Sequence, residues 1–217
     1  MNNPIKYKKY SDRFSHYNLG SGPDDKDVPY LNIDFQSNGP HEDFVELPGG
    51  KFYLNFDLTK DIPADDNSLE GIYSSHFLEH VSYMDGIWVL QECFRVLKPG
   101  GKMRLIVPDL EFWIDAYKTK KMHFFQTYMK MDGFKEKAHL MRTSGSLFNS
   151  AMHDHGHKAT YDFETLLWIL GSLGFEDIRR TSYADGNYDL HQNDKLRFDD
   201  PLRAVESLCV ECIKPKS

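Results

Sequence analysis

Short apolar segments that alternate with helical patterns are the feature of this chain that most restricts its fold. Five such segments precede residue 109, at 16–19, 30–34, 52–57, 71–75 and 102–107, and each ends in glycine, proline or polar residues. Their length and boundaries predict strands. Strands that alternate with helices predict a largely parallel sheet with both faces covered, and ligands of such sheets bind beyond the carboxyl ends of the strands. The residues that follow each strand are therefore the candidate site.

The remaining pattern completes this arrangement. Apolar residues at helical spacing predict a helix over 83–97, which stops at Pro99-Gly100-Gly101. A second helix is predicted over 162–173, with Asp162 as its N-cap and Gly174 as its C-cap. We then predict a strand over 175–183, a polar loop over 184–206 and a last strand over 207–214.

Composition excludes several classes of protein. The 217 residues fit one domain, and a net charge of −7 disfavours binding to a polyanion such as nucleic acid. No apolar stretch approaches the ~20 residues that cross a membrane. Residues 1–13 are polar and basic, lack a signal peptide's apolar core, and are interpreted as a solvated arm. Three cysteines favour a reducing, cytoplasmic location; Cys209 and Cys212 should lie on opposite faces of a strand, which disfavours a zinc or redox pair.

The first strand ends in a glycine turn, Gly20-Ser21-Gly22. A dinucleotide fingerprint would have a third glycine where this chain has Asp25, and the carboxylates of Asp24 and Asp25 would repel a pyrophosphate. A cationic cofactor without phosphate fits better, and S-adenosylmethionine (SAM) carries an ammonium and a sulfonium. Asp34 could accept from both ribose hydroxyls and Asp57 from an adenine amino group. The alternative for both carboxylates is a cap of a strand-end turn.

Several stretches resemble class I SAM-dependent methyltransferases. These are residues 17–23, 31–35, 56–81 and 89–109, with 157–175 and 206–215 also fitting, and they are most similar to the type 11 group, especially predicted methyltransferases of surface-polysaccharide biosynthesis. Ser21 stands where this group often has cysteine. The resemblance implies an α/β, Rossmann-like fold. Its sheet would have seven mostly parallel strands, an antiparallel last strand and a helical insertion after strand 5.

The resemblance also implies a cofactor site. Gly20, Ser21 and Gly22 would pass beneath the methionine part of SAM, Asp34 would hold the ribose, and Asp57 with Leu58 would contact adenine. Ser75 and His76 would face the methionine or the reacting centre, and Glu79 and His80 follow one helical turn later, where they could equally be polar caps. Leu19 and Phe35 flank these positions and are included in the predicted cofactor site.

A hydroxyl acceptor would benefit from a general base, which is most often histidine. We predict His157 as this base, because it matches the histidine before the late helix of the family, with His155 second and Asp109 as a partner or a plain helix N-cap. Alternating histidines at 153, 155 and 157 could instead bind a metal or be structural. The chain lacks a metalloprotease-type HExxH pattern, and Gly156 indicates a loop, so no metal site is predicted.

Residues 110–156 form the predicted helical lid, broken at Gly133 and Gly145. From 111 to 142 this segment has seven Lys/Arg and four Asp/Glu, a local charge of +3 in an acidic chain. Its aromatic residues could stack on a substrate or simply form a core. The predicted substrate contacts are His76, His80, Trp113, Tyr117 and Arg142, and the positive charge favours an anionic acceptor.

We therefore expect one methyltransferase domain over 1–217 that transfers a methyl group from SAM to a hydroxyl of a glycan precursor or another small molecule, with oligomeric state left open. Two alternatives are a nicotinamide-dependent oxidoreductase, against which Asp24 and Asp25 argue, and a non-catalytic SAM-binding scaffold. A nucleic-acid methyltransferase is disfavoured by charge, and residues 74–77 lack an Asn-Pro-Pro-Tyr-type motif.

Overall fold

The sheet has eight strands in the order β3-β4-β2-β1-β5-β6-β8-β7. The computed structural model describes residues 7–22, 29–121, 140, 142–197 and 201–216. The strands are β1 (His16–Leu19), β2 (Leu31–Asp34), β3 (Asp43–Leu47), β4 (Lys51–Asn55), β5 (Leu69–Ser75), β6 (Leu97–Pro108), β7 (Glu176–Thr181) and β8 (Ser207–Ile213). The pairs among β4, β2, β1, β5 and β6 are parallel, whereas β8 runs antiparallel to β6 and β7. The predicted α/β, Rossmann-like fold with an antiparallel last strand is thus confirmed.

Burial follows from the position of each strand. The central β1 and β5 are flanked by strands on both sides, and their apolar residues Tyr17, Leu19 and Ile72 are at most 1% exposed. Both faces of a mostly parallel sheet must be covered, so these strands are almost continuously buried instead of alternating. The outer β3 and β7 contain mainly exposed or half-buried residues.

Helices cover the sheet and are bounded by the predicted signals. They are α1 (Lys8–Ser11), α2 (Tyr83–Val96), α3 (Leu110–Thr119), α4 (Ser144–His153), α5 (Phe163–Leu173), α6 (Asp194–Arg197) and α7 (Pro201–Glu206), with 3-10 turns at Leu78–His80, Asp154–Gly156 and Asp189–Asn193. Asp162 accepts from Thr165 N at the start of α5, and Gly174 ends that helix with a φ of 98°. Both caps of this helix were predicted from the sequence and are confirmed.

Three sequence expectations are corrected. An additional edge strand, β3, pairs antiparallel with β4 and makes the sheet eight-stranded. The predicted arm is not wholly solvated, because Tyr7, the N-cap residue of α1, and Tyr10 within α1 are buried, at 7% and 4% exposed. The predicted polar loop contains α6, α7 and a 3-10 turn, since a buried ion pair between Asp194 and Arg104 attaches this segment to the sheet.

The segment after β6 is a helix pair. Helices α3 and α4 pack through Trp113, Ala116, Leu147, Ala151 and Met152. Gly145 lies inside α4 and does not break it. The predicted break at Gly133 lies outside the described residues. Among the helices that the structure describes, none combines the length and apolar character needed to cross a membrane.

Candidate active site

The topological switch of the sheet lies between β1 and β5, which are neighbours although the chain leaves β1 towards β2. Gly20 and Gly22 have φ angles of 71° and 69°, a region that glycine enters at little cost. A Cβ atom on Gly20 would lie 2.3 Å from Cβ of Phe77, so the turn packs directly against the residues after β5. A crevice at such a switch point is the expected ligand position.

Asp34, at the end of β2, is oriented by the glycine turn. Its Oδ2 accepts from Gly22 N at 2.5 Å and its Oδ1 accepts from Phe35 N at 2.6 Å. The two oxygens are therefore held at fixed positions beside the turn, and each has further lone pairs available. The neighbouring Phe35 side chain is 49% exposed.

Asp57 has a local structural role. Its Oδ1 accepts from both the backbone N and the Oγ1 of Thr59, at 3.0 and 2.6 Å, which is the turn-cap alternative considered from the sequence. Leu58 beside it is 3% exposed, whereas Leu19 and Ser75 are 1% exposed. Any contact of Leu58 with a ligand would therefore come mainly from its backbone.

His76 lies at the end of β5 in a left-handed conformation, with a φ of 52°. Its N donates to Ile106 O, its Nδ1 lies 3.1 Å from Glu79 Oε1, and its Nε2 lies 3.0 Å from Ser207 Oγ. A non-glycine residue in this region is strained and is held there by the surrounding contacts. With its ring 5% exposed and in contact with Glu79 and β8, His76 has little side-chain surface open to a ligand.

Glu79, His80 and His157 form a compact cluster, although 78 residues separate Glu79 from His157. One ligand-type atom from each side chain lies within 4.8 Å of the others. The backbone brings them together, because Glu79 O accepts from Lys158 N at 2.7 Å and from Ala159 N at 3.2 Å. The His80 and His157 rings meet edge to face at 4.9 Å. We call Glu79, His80 and His157 the Glu-His cluster.

The Glu-His cluster has an unusual electrostatic environment. Glu79 is 1% exposed, and burial raises the pKa of its carboxyl above the usual value. Burial also lowers the pKa of the His80 ring, which favours the neutral imidazole. Because a carbonyl oxygen only accepts, His157 Nδ1, which lies 2.9 Å from Ala151 O, is the donor, and Nε2 is the nitrogen that carries the lone pair of the neutral ring. A neutral imidazole nitrogen beside a buried carboxyl can accept a proton or a cation.

The other predicted catalytic residues lie in different surroundings. Asp109 is 3% exposed, caps α3 through Glu111 N and Phe112 N, and forms an ion pair with Arg180. Burial raises the pKa of Asp109, whereas Arg180 lowers it. Both oxygens of Asp109 are thus engaged structurally, as in the N-cap alternative. The His155 side chain is exposed, and its ring centroid lies 6.1 Å from that of His157.

The helix pair borders this end of the sheet. A cleft of about 310 Å³ is lined by residues of both helices and of the strand-like segment after them: Leu110, Phe148, Met152, His153, Lys158, Ala159 and Thr160. Trp113 is 1% exposed and belongs to the core between α3 and α4, so it cannot offer a ring face to a substrate. Tyr117 is 49% exposed and packs on Phe148, and Arg142 is exposed.

Glu79 is the residue whose importance the sequence understated. Its neighbour His80 was predicted as a substrate contact, whereas Glu79 was left between a cap and a site residue. The Glu-His pair one turn after a buried strand was the available signal. What the sequence could not indicate is the contact with His157, which depends on hydrogen bonds between distant segments.

Comparison with known proteins places these features in a wider context. Residues 36–105 match the model of a methyltransferase domain, about a third of the chain. No curated protein sequence matches the chain. A SAM-dependent methyltransferase from Archaeoglobus fulgidus is similar in structure, with 17% identity, a TM-score of 0.53, and coverage of 96% of this chain and 90% of that one.

A second similar structure is a SAM-dependent methyltransferase from Thermotoga maritima, described as a possible histamine N-methyltransferase. It shares 12% identity, has a TM-score of 0.53, and the match covers 97% of this chain and 88% of that one. At these identities the two structures show a common fold and nothing of the substrate. The methyltransferase-domain match, on a chain with this fold, supports a SAM-dependent methyltransferase with SAM as its cofactor.

Proposed function

We propose that this protein transfers a methyl group from SAM to a hydroxyl oxygen of a small anionic acceptor, such as a glycan precursor. The observation that carries the proposal is the Glu-His cluster at the carboxyl end of the sheet, next to a glycine turn and an oriented carboxylate. An imidazole nitrogen with a free lone pair is the group that activates a hydroxyl near neutral pH. The reducing, cytoplasmic location suggested by three free cysteines is part of the same proposal.

The residues around the glycine turn fit SAM. Gly20, Ser21 and Gly22 would support its methionine part, and the two fixed oxygens of Asp34 would accept from the ribose hydroxyls. Exposed Phe35 would lie against the adenine ring, with Asp57 and the Leu58 backbone at its rim. When bound, SAM supplies a methyl group already activated by a sulfonium. The protein's task is then mainly alignment and exclusion of water.

The Glu-His cluster would act on the acceptor. His157 Nε2 activates the hydroxyl, and the hydrogen bond from Nδ1 to Ala151 O keeps the ring in the required tautomer. His76 holds the Glu79 carboxyl through a 3.1 Å contact and is therefore a positioning residue. Asp109 and Trp113 are not part of the proposed site, because their side chains are engaged in a helix cap and a core.

The anionic acceptor is argued from the helix pair. Lys118, Lys120 and Arg142 are exposed on the described part of the 110–156 segment, and the Tyr117 side chain of the same segment is 49% exposed. A phosphorylated or nucleotide-linked sugar carries the complementary charge and a ring that Tyr117 could contact. The lid function of this segment is likewise a proposal.

Calorimetric titration with SAM and S-adenosylhomocysteine tests the cofactor site. We expect micromolar binding by the wild type and a loss of about 10–100-fold in Asp34→Ala, because two charge-assisted hydrogen bonds to the ribose are removed. Asp43→Ala, which changes an exposed carboxylate on the edge strand β3, is the matched control and should bind normally. Unchanged affinity in Asp34→Ala would remove the proposed ribose contact.

A methyl-release screen over sugar nucleotides, sugar phosphates and neutral polyols tests the acceptor. We expect turnover with at least one phosphorylated, hydroxyl-bearing compound and little in His157→Ala. Binding of SAM without turnover on any hydroxyl would instead indicate a scaffold. Binding of NADH in place of SAM would overturn the whole assignment.

A further inference from the structure

We propose that the Glu-His cluster is a binding site for one divalent transition-metal ion of the Zn²⁺ type. Glu79, His80 and His157 provide one carboxylate oxygen and two imidazole nitrogens whose positions lie within 4.8 Å of one another. Two imidazoles and one carboxylate are a donor set that suits such ions and that leaves a position open for a further ligand. The cation site itself is argued from geometry and does not depend on methyl transfer.

The distances leave room for an ion of the required size. Zinc binds nitrogen and carboxylate oxygen at about 2.0–2.2 Å, so tetrahedral ligand atoms lie about 3.4 Å apart. His80 Nε2 and Glu79 Oε1 are 4.0 Å apart, too far for a hydrogen bond and slightly wider than two ligands of one ion. The three ligand atoms lie within 4.8 Å of one another, so movements of about 1 Å by the partly exposed His80 and His157 rings would bring them to this spacing.

The unsatisfied oxygen of Glu79 is independent evidence for a ligand. Glu79 Oε2 is buried and has no hydrogen-bond partner among the described residues, whereas Oε1 faces His76. A buried polar atom without a partner is costly and rare in folded proteins. A cation that binds Oε2 would remove that cost, and it would explain why this buried oxygen has no partner among the described residues.

The surrounding contacts are those that orient metal ligands. His157 donates through Nδ1 to Ala151 O, and ligating histidines commonly donate their other ring nitrogen to a carbonyl or carboxylate. The Arg203 guanidinium is a nearby positive charge that would repel a cation. It lies 3.1 Å from His76 Nδ1, and its charge is balanced by an ion pair with Glu206 at 3.1 Å.

A cation at this position would specify how the acceptor is activated, a step that rests on the proposed function. His157 Nε2 would then bind the ion and activate the hydroxyl through it, in place of accepting the proton itself. The acceptor oxygen would occupy the open position, and its proton would pass to solvent because the cation lowers the pKa of the bound hydroxyl. The oxygen then forms the new bond to the methyl carbon as the bond from that carbon to sulfur breaks. The products are a methyl ether, S-adenosylhomocysteine and one released proton.

Cobalt titration tests the cation site without measuring catalysis. Chelator-stripped protein, free of tags that bind metal, is titrated with Co²⁺, and visible absorption reports ligand number and geometry. We expect one Co²⁺ per chain with a spectrum of four or five ligands, displaced by Zn²⁺. Glu79→Gln and His157→Gln should each weaken binding by about 100-fold or more, because each removes a ligand that the ion contacts directly.

His153→Gln and His155→Gln are the matched controls, because they remove exposed histidines of the same segment. Both should bind Co²⁺ as the wild type does, and circular dichroism should show every variant folded. Equal binding by Glu79→Gln and the wild type, or weakening by the control variants alone, would overturn the site. So would no saturable binding by the folded wild type below millimolar Co²⁺.

Activity separates the site from the proposed function. Stoichiometric cobalt binding that depends on Glu79 and His157, with no methyl transfer to any hydroxyl acceptor, supports the cation site and contradicts the proposed function. Methyl transfer that is unchanged after metal removal and after Zn²⁺ is returned contradicts the cation's role in activation. Activity lost on stripping and restored by Zn²⁺ supports both.

Discussion

Two buried polar clusters of this protein differ in how completely their groups are paired. In the first, the fully buried Arg104 guanidinium uses all five N–H donors, on Asp194, Glu211, Thr181 Oγ1 and Ser182 O. In the second, Glu79 is 1% exposed, close to the 0% of Asp194 and Glu211, yet its Oε2 has no protein partner among the described residues. Burial alone therefore does not separate them; pairing does.

The difference indicates different roles. The carboxylates around Arg104 are also held by backbone donors, since Asp194 accepts from Ala184 N and Glu211 from Asn187 N. A saturated buried network fixes the segment before β8 to the sheet and leaves nothing for a ligand. An incompletely paired carboxylate beside two imidazoles, at the ligand-binding end of an α/β sheet, has capacity left for chemistry.

The largest effect that this comparison predicts is on stability in Arg104→Met. The substitution leaves Asp194 and Glu211 buried without their cation, and breaking a buried pair in this way costs about 3–5 kcal/mol in free energy of unfolding. Chemical denaturation measures the change. Lys98→Met on the same strand, which removes an ion pair with about half of each side chain exposed, should cost less than about 1 kcal/mol. Similar losses in both variants would contradict the structural role of the saturated cluster.

A smaller effect is expected near the Glu-His cluster, where the affinity for the acceptor should change. The double variant Lys120→Glu/Arg142→Glu should raise KM for a phosphorylated acceptor about tenfold, because it reverses two exposed charges that flank α3 and α4. The increase should shrink at high salt. Each single variant, Lys120→Glu and Arg142→Glu, is compared with Lys98→Glu, which makes the same change in net charge through an exposed residue of β6. An unchanged KM for the true acceptor would show that these two cations do not contribute to acceptor binding.

A third cluster has three carboxylates around a single arginine, so its carboxylates outnumber its cations. Arg95 forms ion pairs with Glu92, Asp61 and Asp66. Burial and the neighbouring Glu92 carboxyl raise the pKa of Asp61 to about 6. Between pH ~4 and ~6 the folded state then binds more protons than the unfolded state, so this group makes stability fall as pH rises.

Asp61→Asn should abolish that part of the pH dependence. The difference in free energy of unfolding between the variant and the wild type should change by about 1 kcal/mol or less from pH 4 to pH 7. The change is small because solvent screens this partly exposed group. Unfolding midpoints at several pH values measure it. Asp66→Asn, which removes a 70% exposed partner of the same arginine, is the control. A wild type and an Asp61→Asn variant with parallel pH profiles would show that the three carboxylates do not compete.

The comparison also explains what the sequence could indicate. Local rules located β1, β2, α2 and α5 with its caps, because strand ends, N-caps and glycine C-caps are written in neighbouring residues. The glycine turn and Asp34 were found in the same way. The edge strand β3 was missed, since its mostly exposed residues lack the apolar character of a core strand.

Long-range pairing was beyond such rules. The residues around Asp194 were predicted as a polar loop because a charged residue is normally exposed, and only Arg104, 90 residues away, makes its burial possible. The contact between Glu79 and His157 depends on the hydrogen bonds from Lys158 N and Ala159 N. Neither cluster could therefore be predicted from the sequence, because both depend on contacts between distant segments.

The smallest stability effect is expected for Glu79→Gln, and it gives the sharpest contrast with Arg104→Met. Glutamine keeps the shape of the side chain and removes the cost of burying a carboxylate whose Oε2 has no partner among the described residues. The free energy of unfolding should therefore stay within about 1 kcal/mol of the wild type. Denaturation of chelator-stripped protein measures it, which prevents a bound cation from stabilising the wild type alone. A loss comparable to that of Arg104→Met would mean that the Glu79 carboxylate is a structural group. It would also mean that both buried clusters stabilise the fold.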